Sequence, residues 1–417
     1  NWSDGHVPST SCDDVFIPGG TTYEPTLTSG TATITNLHIY SGATLTVTGA
    51  TLQVGGTINN AGIFNVSNGT IELNGISSQN IAAHTFQNNA VKDLVISNTV
   101  GVTLSGEVDV YELLTYGIPH GILNTGGFLT LKSNASETAW IGNMTGETIN
   151  GDVTVERYID VAKGHGAAWE FVATPTQGQS VFQSWMEKGS LISTGYGTQV
   201  TSPNGTANGF DAMTAGASLK YFLYSSTNWL GIPNTSIPVY NQEGYQLFVR
   251  GDRSITYPHI GNTTLRTSGK LLTPSNPPPT TTVHGNNFAS IGNPYASAVS
   301  LSAISAAATG VSDFFYVWDP TLSGAYGVGG YRTLSNDGSG LYVPTPSGGG
   351  GDYSGGTKTI ESGQAFFVHS FGSANGSVSF NESMKSNGSK LVFRGANALG
   401  TNEKPAQLRA NLYGIAG

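Results

Sequence analysis

The sequence predicts an all-β protein, an N-terminal β-solenoid-like stalk followed by a β-sandwich. Three observations carry that expectation. Charged residues are 10% of the 417-residue chain and Gly counts 57, against about 25% and about 7% in ordinary soluble domains. Short runs alternate β-branched or apolar residues with polar ones, which is the period of a strand. Turn-forming Gly and Asn recur every seven to twelve residues through much of the first half, too often for long helices. With 6 Trp, 18 Tyr and 17 Phe the chain can build cores, so disorder is excluded.

The stalk, residues 1–158, reads as a series of short strands. They run Thr31–Ile34, Leu37–Tyr40, Thr44–Val47, Thr51–Val54, Gly62–Val66 and Thr70–Leu73, and then less regularly to Phe128–Leu131. Such spacing suits a sandwich, a barrel or a solenoid. The solenoid is preferred because Gly-Ala-Thr-Leu opens at Gly42 and again at Gly49, as repeated units would. Leu, Val and Ile are expected to stack inward, Asn to form ladders at the turns, and the exterior to be nearly uncharged. Residues 15–91 hold only Glu24 and Glu72 as charges.

Residues 159–395 have denser aromatics and longer loops, expected as a sandwich of about nine antiparallel strands. The candidates are Trp169–Ala173, Tyr221–Tyr224, Tyr245–Val249, Ser254–Tyr257, Asn287–Ile291, Phe314–Trp318, Gln364–Val368, Val378–Phe380 and Leu391–Phe393. Helices are expected only over 177–189 and 298–308. Residues 396–417 read as a terminal strand or the start of a next module, since Gln407 to Tyr413 alternates polar and apolar residues. Such a strand can add to a neighbour's sheet edge.

Two groups of motifs carry a family likeness. Asn1-Trp-Ser-Asp-Gly-His-Val-Pro8 with Asp13-Asp-Val-Phe-Ile-Pro18 resembles the opening of β-rich repeats in large surface proteins of Bacteroidota. Gly151–Ile159, Ile291–Ser297, Tyr316–Pro320, Ile360–Val368 and Glu382 with Lys385 form the second group. Together they resemble the module that precedes the C-terminal sorting domain in proteins exported by the type IX secretion system. The resemblance covers most of residues 1–18 and 150–395. It implies an extracellular, cell-surface protein with adhesin-like modules, and it implies no reaction. No sorting domain is recognisable behind Gly417, and the chain opens at Asn1 without a signal peptide, so a mature product or an excised fragment is expected.

The remaining signals exclude more than they assign. A net charge of −9 with 17 Lys and Arg provides no basic surface for nucleic acid and no polybasic anchor for insertion in a membrane. Cys12 is the only cysteine, which excludes an internal disulfide and a cysteine zinc cluster. The eight histidines form no HExxH pair, and Gly338-Ser-Gly340 lacks the full nucleophile elbow. A solenoid lyase or glycosidase needs clustered carboxylates with a base, which residues 15–91 cannot supply. No cofactor is expected. A calcium ion would need six to eight oxygens, of which Asp13 and Asp14 supply part, and capping of the first rung explains them as well. Asp313 and Asp319 flank a strand, and Asp319-Pro320 is expected to end it by bonding the turn backbone.

One loop stands out. Residues 323–356 set Tyr326, Tyr331, Tyr342 and Tyr353 among glycines, a composition used by binding surfaces because Tyr offers amphipathic area at small entropic cost. Pinning the loop onto the sandwich is the competing reading. The whole predicts a non-enzymatic extracellular surface protein, an adhesin or a fibre subunit that self-associates end to end or by strand donation. The alternative is a carbohydrate-binding module attached to a polysaccharide-degrading enzyme. Aromatics exposed on one face would favour binding, and apolar ends would favour assembly.

Overall fold

A computed structural model describes residues 14–160, 167–212, 216–239, 242–256, 258–322, 329–348, 351 and 353–389. The chain is all-β, with 46% strand and 5% helix, and its first half is a β-solenoid of about seven turns. Parallel pairing builds the solenoid. The longest sheet stacks Thr44–Val54, Ile63–Leu73, Ala90–Ile96, Val108–Tyr116, Leu129–Leu131 and Val153–Ile159 in turn. A second stack pairs Asp14–Ile17, Asn36–Ile39 and Ile58–Asn60. A third pairs Gln79–Ala82, Val102–Ser105, Ile122–Asn124 and Thr148–Asn150.

Register explains the stability of this stack. Leu52 lies beside Ile71, Ile71 beside Leu94, Leu94 beside Leu114, and Leu114 beside Ile141. All five are within 2% of full burial, and each such side chain contributes about 1.5–3 kcal/mol. The two Gly-Ala-Thr-Leu copies do not lie on successive turns. The first leads from a turn at Gly42 into the strand Thr44–Val54, and the second lies within that same strand at Gly49, where φ is 67°. The true repeat is the longer interval that brings Leu52 against Ile71.

Polar ladders hold the outside and one corner. Thr33 donates to Gln53 at 2.6 Å, Gln53 to Glu72 at 2.8 Å, and Ser97 to the other oxygen of Glu72 at 2.5 Å. At a buried corner Asn98 donates to Gln79 at 2.9 Å, and Gln79 donates to the carbonyls of Val54 and Gly56. These bonds satisfy turn groups that water cannot reach. The exterior is not uncharged throughout. Over the last turns Lys92 pairs with Glu112 at 3.0 Å, and Lys132 pairs with Glu156 at 2.7 Å.

Val153–Ile159 joins the halves. On one edge it pairs in parallel with Leu129–Leu131, and on the other it pairs antiparallel with Thr263–Leu271. A solenoid edge left open would invite aggregation, and this pairing covers it. The boundary expected at 158/159 therefore falls inside a strand, whose Val153 and Val155 fill the solenoid core while Ile159 fills the next.

The second half holds a four-stranded sheet ordered Ala168–Val172, Tyr245–Val249, Leu219–Leu223, Asn228–Gly231. A five-stranded sheet is ordered Phe288–Gly292, Ala365–His369, Phe314–Asp319, Gly330–Asn336, Tyr342–Pro344. Their buried faces do not share one core. Leu247, Val249, Val172 and Leu219 pack with Trp185 and Phe210, whereas Phe315, Val317, Phe366 and Val368 pack with Ile304 and Tyr295. The helix expected over 298–308 is Leu301–Ala307, capped by the Ser300 hydroxyl. The one expected over 177–189 is absent. Ser180 and Gln183 bond reciprocally as a capping box and start a turn in which the Ser184 amide donates to the Ser180 carbonyl, but Glu187 and Lys188 adopt positive φ and stop it before an α-helix forms. Ser254–Thr256 is likewise not a strand, because Asp252 accepts from the Ser254 amide and hydroxyl in a turn. Asn1–Pro8, Asp13, Leu391–Phe393 and Gln407–Tyr413 lie outside the described residues.

The motifs that carry the family likeness make the joint. Arg157 donates to the Ser362 carbonyl at 2.8 Å. Asn293 donates to the carbonyls of Ser297, Ile360 and Glu361. Ala296 enters the solenoid core while its carbonyl accepts from the Ile141 amide. Glu382 accepts from the Met144 amide at 2.9 Å and pairs with Lys385 at 2.7 Å, and Lys385 donates to the Gly142 carbonyl.

Candidate functional site

Paired residues of an antiparallel sheet point to the same side. In the four-stranded sheet that rule sorts side chains into two unlike faces. Leu, Val and Tyr245 fill the inner face. The other carries Trp169, Phe171, Lys220, Phe222, Trp229, Gln246 and Phe248, since Trp169 opposes Phe248, Phe171 opposes Gln246, Lys220 opposes Gln246, and Phe222 opposes Trp229. The five-stranded sheet repeats the division. Phe288, Tyr316, Trp318, Tyr331 and Phe367 share its outer face through the pairs Ser290–Phe367, Tyr316–Phe367 and Trp318–Tyr331.

The two outer faces meet ring to ring. Phe171 lies 5.0 Å from Phe367 and 5.5 Å from Trp229, and Phe222 lies 4.7 Å from Phe367. Phe288 continues the row to Tyr316 at 5.1 Å, and Tyr331 meets Trp318 at 4.8 Å. Gln246 donates to the Tyr331 hydroxyl at 3.0 Å across the seam. Phe171 and Phe367 are buried, but Phe222, Trp229, Phe288, Tyr316 and Trp318 are only half-buried, and Tyr331 is 41% exposed. The rings thus form one packed cluster between the sheets, and its partly buried margin, with Tyr331, reaches the surface.

Clefts open toward both ends of this face. One, of about 300 Å³, is lined by Trp169, Phe248, Lys220, Arg250, Gln199 and Thr201 with small residues between them. Trp169 and Phe248 meet edge to face at 5.4 Å, the Lys220 ammonium lies 4.5 Å from the indole centre, and the Arg250 guanidinium lies 5.5 Å from the Phe248 ring centre. Among the described residues no carboxylate lines it. The other cleft, of about 340 Å³, is lined by Phe222, Tyr224, Gln242, Glu243, His284 and Phe288 among others. There Tyr224 stacks on His284 at 3.8 Å, and Glu243 accepts from the Tyr245 hydroxyl at 2.9 Å.

The four tyrosines singled out in the sequence do not form one surface. Tyr331 belongs to the aromatic face. Tyr342 is fully buried against Phe315 and donates to Asp313 at 2.7 Å. Burial, with that bond to Asp313, pushes its hydroxyl up to about 12. Tyr353 bonds Gln364, so these two pin the loop as the competing reading expected. Tyr326 lies outside the described residues. Asp319 accepts from the amide and hydroxyl of Thr321, the expected turn. Asp14 accepts from Asn36 at 2.6 Å, as a rung cap does. Among the described residues no three His, Cys, Asp or Glu gather to hold a metal ion, and no helix is long and apolar enough to cross a membrane.

One charged cluster lies apart from the aromatic face. Tyr196 is flanked by Arg266 at 3.8 Å and Lys132 at 5.9 Å, and Arg266 pairs with Glu187 at 2.5 Å. Burial pushes the nearby Asp109 carboxyl above its usual range. Lys132 and Arg266 each have a carboxylate partner, so this cluster fastens a loop to the last solenoid turn.

Sequence reasoning missed Trp169, Lys220, Phe222, Trp229 and Phe248. The available signal was that Trp169–Val172, Tyr221–Tyr224 and Tyr245–Val249 carry bulky apolar residues at both parities. A strand with two apolar faces implies two packings, and the second here is incomplete. A family model described as a domain of unknown function (DUF8693) matches residues 250–412. That span takes in the five-stranded sheet and leaves out Trp169, Lys220 and Trp229. No curated protein and no solved structure matches the chain.

Proposed function

We propose that the chain is a non-enzymatic extracellular surface protein that holds a glycan on its aromatic face, with the solenoid as a stiff stalk. The observation that carries this reading is the row of partly buried rings along the seam of two adjoining sheets, continued at its ends by two clefts that are also lined with aromatic residues. A pyranose presents flat C–H faces beside hydroxyls. Rings with Gln199 lining one cleft and Gln242 the other match that pattern of apolar area with few polar contacts. The two clefts also argue for binding without hydrolysis. Glycoside cleavage uses two carboxylates about 5–10 Å apart, and among the lining residues Glu243 is the single acid.

Adhesion at a cell surface follows from this reading together with the surface-protein resemblance. The same face would serve a carbohydrate-binding module attached to a degrading enzyme, and the aromatic face favours that alternative equally. Self-association by strand donation rests on residues 403–417, outside the described residues, and has no support from the geometry.

The experiment is retention of the purified chain on insoluble polysaccharides, compared with Trp229→Ala and Trp318→Ala. Retention lost in variants that still unfold cooperatively supports the reading. Retention equal in all three contradicts it.

A further inference from the structure

We infer that the cleft at the Trp169 end of the aromatic face takes the anionic group of an acidic saccharide, a carboxylated or sulfated sugar. This inference rests on the glycan reading above and adds to it a charge class and a position. Lys and Arg are scarce in this chain, 17 in 417 residues, yet Lys220 and Arg250 line one cleft of about 300 Å³. They reach it from neighbouring strands whose register puts Lys220 opposite Gln246 and Trp169 opposite Phe248.

The recorded partner of the Lys220 ammonium is the Trp169 ring at 4.5 Å, and among the described residues no carboxylate lies within ion-pair distance of it. A cation held against a ring is weakly bound and readily exchanged for an anion. Trp169 and Phe248 supply the flat apolar contact for the sugar ring, and the side chain of Gln199, whose amide donates to the Arg253 carbonyl, lines the same cleft. The far cleft differs. It holds Glu243 and the His284–Tyr224 stack, so the charged group of a bound chain would sit at the Trp169 end.

The overall charge makes this testable. At a net charge of −9 the protein as a whole repels polyanions, so any preference for them must arise locally. The full chain would be titrated with polygalacturonate and with dextran sulfate, and beside them with methyl-esterified pectin and with neutral dextran. The expected result is tighter binding of at least one polyanion than of its neutral counterpart, by about tenfold at low salt. The preference should fall as salt rises. Lys220→Gln should bring the ratio close to one, with the variant still folded, and Lys220→Arg should restore it. Preference for polygalacturonate assigns the site to carboxylate, and preference for dextran sulfate assigns it to sulfate. Equal binding of charged and neutral polymers overturns the inference and leaves the glycan reading standing. A preference that survives Lys220→Gln overturns the placement. Binding of no polysaccharide overturns both.

Discussion

Phe171 and Phe367 stand 5.0 Å apart at the seam where two sheets with separate cores touch through their outer faces. Both are nearly fully buried, at 1% and 6% exposure, and their neighbours are the half-exposed rings. The seam thus has a buried centre and a partly buried margin of rings packed against it.

Phe367→Ala should therefore cost about 3–5 kcal/mol, as truncation of a buried aromatic does. Trp229→Ala, at a half-buried position, should cost well under half of that. Denaturant midpoints of the two variants check the difference. Equal losses would mean that the outer ring is part of the core.

Glu382 and Lys385 form the buried ion pair of the joint, with side chains 6% and 5% exposed. Glu382→Gln leaves an ammonium without its countercharge and should cost about 3–5 kcal/mol near pH 7. Burial holds the Lys385 amine below its ordinary 10.5. The unfolded chain then binds more protons between the folded value and 10.5, so this group's contribution rises with pH across that window. The penalty of Glu382→Gln should shrink as pH approaches 10.5. Thermal melts at a series of pH values measure it, and a penalty constant with pH would contradict the account.

In the solenoid, Leu52 is 2% exposed and Val54 fully buried. Leu52→Asp should cost about 3–5 kcal/mol by burying an unpaired charge. Gln53→Asp, one residue along on the outer side, should cost far less. A chemical denaturation series reads both, and comparable losses would refute the alternation of faces.

The chain should release no oligosaccharides from plant or algal polysaccharides, since the clefts lack a carboxylate pair. Product analysis after long incubation tests this. Release by pure protein that a single Asp or Glu substitution abolishes would overturn the non-enzymatic reading.

The alternation of Thr44–Val54 and Ile63–Leu73 made the solenoid legible, because inward Leu and Ile with outward Thr and Gln leave one register. Its repeat length was not legible: the second Gly-Ala-Thr-Leu copy imitates a turn, and its place within the strand Thr44–Val54 shows only in three dimensions. The site was harder still. Tyr342 looked like a loop-borne ligand contact because composition cannot tell an exposed Tyr from one donating to Asp313 inside the fold. Trp169 and Phe248 are far apart in sequence and meet only through strand register. Arg253, fully buried and bonded bidentately to Asp211, was equally invisible for the same reason.

The measurement that tests the central claim most directly is a binding isotherm of the full chain on a panel of neutral and acidic polysaccharides, repeated with Trp169→Ala and Trp229→Ala. The account predicts saturable binding to at least one member, weakened tenfold or more by one or both substitutions, with both variants still folded and unfolding cooperatively; tenfold is about 1.4 kcal/mol, within the range of an aromatic contact residue. Absence of binding across the panel, or binding that neither substitution alters, would contradict it.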